Sequence, residues 1–85
     1  MKEITKIALK VKSKDDFIEF IRALAKDLKN NPKDWENVNL ISFLNAIEYS
    51  TQDIEAYYSN TKQLLPNNIN WKVFADILMI AKMHE

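Results

Sequence analysis

Not one of the 85 residues is a glycine. Tight β-hairpins rely on glycine for backbone angles with positive φ, and so do many helix C-caps. A chain without it is poorly equipped for two-residue hairpin turns. Helices joined by loops of asparagine and proline remain accessible, and asparagine is the next choice for a left-handed cap. Asn30-Asn31-Pro32 and Pro66-Asn67-Asn68 are loops of that kind. The absence of glycine therefore points to an all-α domain.

The hydrophobic pattern agrees. Ser13 stands as an N-cap before Lys14-Asp15-Asp16, where the helix dipole favours acids. Phe17, Phe20, Ile21, Leu24 and Leu28 then recur at helical spacing until Asn30-Asn31-Pro32 stops the run. A second helix is expected from Asn37 or Asn39 to Tyr49, with Leu40, Phe43, Leu44 and Ile47 inside. Ser50-Thr51-Gln52-Asp53 reads as the cap of a short helix carrying Ile54, Tyr57 and Tyr58. Asn70 reads as the cap of a last helix, Trp71 to Met83.

That last helix is apolar nearly all round. Trp71, Phe74, Ala75, Leu78 and Ala81 mark one face, Val73, Ile77 and Ile80 another. Such a helix lies at a core or under a partner. A central position between two other helices is the expectation, so a monomer is favoured over a homodimer. Residues 1–12 fit either a helix (Ile4, Ile7, Ala8, Val11) or a strand (Ile7, Leu9, Val11). The helix is preferred, because a lone strand leaves a bare edge. The prediction is thus a single domain, 1–85, of four main helices with a short N-terminal fifth. A chain of 10 kDa buries roughly 64% of its unfolded surface. Leu44 and Leu78 are expected in that core, where truncation to alanine costs about 2–5 kcal/mol.

Composition excludes several function classes. There is no cysteine, which removes disulfide scaffolds, thiolate nucleophiles and zinc fingers. Without glycine there is no phosphate-cradling loop. His84, the single histidine, stands next to the last residue, and no other ligands are spaced to join it in a metal site or triad. Asp15, Asp16 and Glu19 are explained by capping, and Lys72 with Asp76 by a helical ion pair. The chain reads as non-enzymatic, without cofactor or metal. No secretory segment or apolar span of 18 residues is visible, and the reading is cytoplasmic and bacterial.

Net charge is zero but uneven. Residues 1–30 carry eight Lys/Arg against five acids, residues 31–60 one lysine against five acids. A neutral whole speaks against nucleic acid, and the N-terminal lysines Lys2, Lys6, Lys10, Lys12 and Lys14 lack interleaved aromatics. No nucleic-acid or membrane partner is expected. The acidic middle suits a basic protein. Trp35 and Trp71 read as residues at the core edge, each with its indole N–H on a carbonyl. Tyr57 and Tyr58 point about 100° apart on a helix, so one stays exposed among Glu48, Asp53 and Glu55. An exposed tyrosine ringed by acids has hot-spot character. The predicted partner-binding residues are Trp35, Glu36, Glu48, Asp53, Glu55, Tyr57 and Tyr58, centred on segment 48–58. The alternative is a structural or homodimerising domain using the C-terminal helix.

Two resemblances follow from these residues. Ser13, Phe17 and Phe20, then Trp35-Glu36-Asn37 with Leu40, Phe43, Leu44 and Ala46, then Asp53, Tyr58 and Asn60, then Trp71, Ala75, Leu78 and Ala81 resemble a family of small bacterial helical domains of unknown function, over residues 13–83. That likeness implies a stand-alone helical domain and no activity. Asp53-Ile54-Glu55-Ala56-Tyr57-Tyr58 is similar in placement to the short tyrosine-bearing helix of DNase-type colicin immunity proteins, which implies an inhibitor of a nuclease. Ser59 stands where those proteins have proline, and this chain is neutral where they are acidic.

Overall fold

Capping places the helices. The computed structural model describes residues 2–84 and contains no strand among them. The described residues form five helices: α1 (Glu3–Leu9), α2 (Lys14–Asn30), α3 (Leu40–Gln52), α4 (Ile54–Asn60) and α5 (Trp71–Met83), with a 3₁₀ turn at Pro32–Asp34. The chain divides into two units, Met1–Thr51 and Gln52–Glu85.

In the first unit, Ser13 Oγ accepts the backbone N–H of Asp16 at 3.0 Å, and the Asp16 carboxylate accepts that of Lys12 at 3.1 Å. This reciprocal arrangement satisfies two donors and fixes where α2 starts. The N-terminal ambiguity resolves as a helix. Ile4, Ile7, Ala8 and Val11 are half-buried while Lys2, Lys6 and Lys10 are exposed. Lys2 Nζ lies 3.4 Å from Asp34 Oδ2, tying the start of α1 to the 3₁₀ turn. Asn39 Oδ1 accepts the N–H of Ser42 at 2.8 Å and caps α3. α3 runs three residues past the expected end at Tyr49. Ser50 and Thr51 do not cap α4; their hydroxyls donate back to the carbonyls of Ala46 and Ile47 and remain helical.

In the second unit, Asp53 is the N-cap of α4 but its side chain makes no capping bond. The C-terminus of α4 closes with a left-handed cap. Gln63 N donates to Tyr58 O at 2.8 Å and Lys62 N to Ser59 O at 3.1 Å, the paired bonds of a Schellman motif. The left-handed residue is Lys62, φ 58°, the one positive φ at a non-glycine residue among those described. Asparagine was expected in that role, yet Asn31 at the end of α2 has φ −132°. Asn70 Oδ1 accepts Val73 N at 3.1 Å and starts α5 as expected. Lys72 and Asp76 form the expected ion pair.

The expected core is the main correction. No described residue is fully buried. Phe17, Phe20, Leu24, Leu28, Phe43 and Ile47 are half-buried, but Leu44 is 42% exposed and Leu78 47%. In the second unit, α4 leaves much of α5 uncovered: Trp71, Val73, Phe74 and Leu78 are each 47% exposed. The physical reason within its unit is length. A seven-residue helix spans about 10 Å and a 13-residue helix about 20 Å. α4 is thus about half as long as α5 and cannot lie along the whole of it.

Candidate functional site

Trp35 organises the first unit. The 3₁₀ turn, closed by Trp35 N–H donating to Pro32 O at 3.1 Å, delivers the indole beneath the end of α2. Its Nε1 donates to Asp27 Oδ2 at 2.8 Å. The other carboxylate oxygen, Oδ1, accepts from Asn31 Nδ2 at 3.1 Å. The indole face meets Phe43 of α3, with ring centroids 6.2 Å apart. Trp35 thus joins α2 to α3, and its acceptor is a carboxylate where a carbonyl was expected. An apolar groove of about 430 Å³ opens beside it, lined by Ile21, Leu24, Leu28, Trp35, Val38 and Phe43. Glu36 is exposed and lines a second depression with Trp35, Phe43 and Ile47. Glu48 is exposed near the end of α3.

The second unit holds the other predicted residues on α4. Asp53 and Glu55 are exposed at its first turn. Tyr57 is 55% exposed and Tyr58 half-buried, answering which tyrosine stays outside. The two rings meet edge to face, with centroids 5.6 Å apart and planes at 76°. That geometry suits the aromatic quadrupoles and holds Tyr57 against a fixed neighbour. Tyr58 in turn lines a depression with Ile54, Pro66, Ile69, Trp71 and Phe74. A half-buried tyrosine supports an exposed one, with two carboxylates within four residues.

Trp35, Glu36 and Glu48 belong to the first unit; Asp53, Glu55, Tyr57 and Tyr58 to the second. Sequence reasoning passed over Asp27 and Tyr49. Asp27 had a signal in the demand of any half-buried indole N–H for an acceptor. Tyr49 is 65% exposed beside Glu48. Among the described residues no group of three or more His, Cys, Asp or Glu is placed to hold a metal ion. No helix among them is long and apolar enough to cross a membrane.

A model of a family of unknown function, DUF7660, matches residues 13–85. The chain belongs to DUF7660. The match begins at Ser13, the residue that caps α2, so α1 precedes it. Membership agrees with the resemblance to a small domain family of unknown function and carries no activity. The DUF7660 chain matches no curated protein and no solved structure.

Proposed function

We propose that the DUF7660 chain is a non-enzymatic protein-binding module that grips a basic protein through α4. The observation that carries this reading is Tyr57: 55% exposed, braced edge to face by Tyr58 and flanked in sequence by exposed Asp53 and Glu55. A rigid aromatic with a hydroxyl loses little entropy on binding and dominates many interfaces. Acids around it steer a basic partner and raise its rate of encounter. In the form closest to the placement of these residues, the partner is a nuclease and the module is its immunity-type inhibitor. Such a module works in the cytoplasm.

The test is affinity capture with the tagged full chain at low salt, in parallel with Tyr57→Ala and with the double variant Asp53→Lys, Glu55→Lys. The reading expects a basic protein on the wild type, lost from both variants while their circular dichroism is unchanged. Equal capture by all three removes α4 as the site.

A further inference from the structure

We infer that α1 is a releasable clasp: docked on α2, it shields the carboxylate by which Asp27 holds Trp35, and its release loosens that tryptophan. Every part of the device lies in the first unit. α1 packs on α2. Ala23 and Asp27 stand four residues apart and so share one face of α2. Glu3, Ile4 and Ile7 of α1 line a depression of about 320 Å³ with these two and with Asn31, the C-cap of α2. Asp27 is therefore at the seam between the two helices while its two oxygens bond Trp35 and Asn31. The ion pair of Lys2 with Asp34 ties the start of α1 to the residue just before Trp35.

Two observations make the clasp releasable. The first is its weakness. A helix of seven residues is too short to hold by itself, so α1 is helical only while packed. Its N-cap, Lys2, makes no side-chain capping bond, and none of its residues is fully buried. The Lys2–Asp34 pair is exposed on both sides, and such pairs contribute little. Elements held so lightly open first. The second is that α2 starts without help from α1. Its reciprocal cap joins Ser13, Asp16 and the N–H of Lys12, and the DUF7660 match begins at Ser13. The consequence of release follows from solvation. A hydrogen bond to a carboxylate weakens where water competes for it. Undocking wets Asp27 on its α1 side and frees Asp34, so the indole bond and the turn that delivers Trp35 both slacken. Trp35 also meets Phe43 of α3 and lines the apolar groove. Release of α1 thus reaches that groove, although no residue of α1 lines it.

The experiment follows Trp35 alone, in the full chain carrying Trp71→Phe, since the sequence has two tryptophans. Adding Ile4→Asp and Ile7→Asp together undocks α1. Adding Thr5→Asp instead charges an exposed position and leaves α1 docked. The inference expects the double variant to lose amide protection in α1, to unfold cooperatively in urea, and to shift its emission to the red. The Thr5→Asp chain keeps the parent emission. In the wild type, amides of α1 exchange about tenfold or more faster than those in the middle of α2. A double variant with α1 unprotected and the parent emission overturns the inference, because Trp35 is then held without the clasp. A double variant that no longer folds overturns it as well, because α1 is then part of the core. Wild-type protection in α1 equal to that of α2 does the same.

Discussion

The indole N–H of Trp35 donates to the carboxylate of Asp27 at 2.8 Å, across eight residues that include the end of α2 and the whole 3₁₀ turn. Asp27 holds Asn31 through its second oxygen, so one side chain fixes both the exit from α2 and the tryptophan that meets α3. Hydrogen bonds to a charged acceptor contribute about 1.5–3 kcal/mol each, less where water competes. Asp27→Ala should lower unfolding free energy by about 1–2 kcal/mol. Its tryptophan emission should move to the red as the indole loosens. Asp27→Asn keeps one acceptor and should lose less. Equal losses for the two would mean that the bond does not position Trp35.

The helix starts make a second expectation. Ser13, Asn39 and Asn70 each accept a backbone N–H three residues on. Replacing any one by alanine should cost about 1 kcal/mol. Hydrogen exchange should locate the loss: Ser13→Ala speeds exchange in the first turn of α2, Asn70→Ala in that of α5. Asp53→Ala, whose side chain caps nothing, should leave stability within about 0.5 kcal/mol.

Lys62 gives a stabilising substitution. A side chain with a Cβ costs about 1 kcal/mol in the left-handed region, a cost glycine does not carry. Lys62→Gly should raise stability by up to about 1 kcal/mol, after allowing for the greater freedom of glycine in the unfolded chain. A urea midpoint that rises with unchanged slope is the expected result. A fall would show that the Lys62 side chain makes a contact outweighing its backbone strain.

The helices were legible because their signals are local. Ser13, Asn39 and Asn70 announce their caps, and periods of 3.6 announce the helical runs between them. The end of α3 was misread because Ser50 and Thr51 can cap a new helix or bond back into the old one, and sequence does not say which. Lys62 was missed because the cap pattern of bonds, rather than residue type, selects the left-handed position. The burial of Leu44 and Leu78 was misjudged for a different reason. Periodicity says which side of a helix is apolar, but not whether a neighbouring element lies over it. On the candidate site, sequence narrowed Tyr57 and Tyr58 to one exposed residue. Which of the two it is, Tyr57 at 55% exposed with Tyr58 half-buried, is a matter of packing within the second unit.

The central claim, binding through Tyr57, meets its most direct test in isothermal titration of the captured basic partner into the wild type, Tyr57→Ala and Leu64→Ala. Leu64 is 94% exposed in the loop after α4 and serves as the control for a merely accessible apolar residue. The account predicts that Tyr57→Ala weakens binding by about 2 kcal/mol or more, roughly 30-fold, with its melting unchanged. Leu64→Ala should bind as the wild type does. Wild-type affinity for Tyr57→Ala would contradict the account.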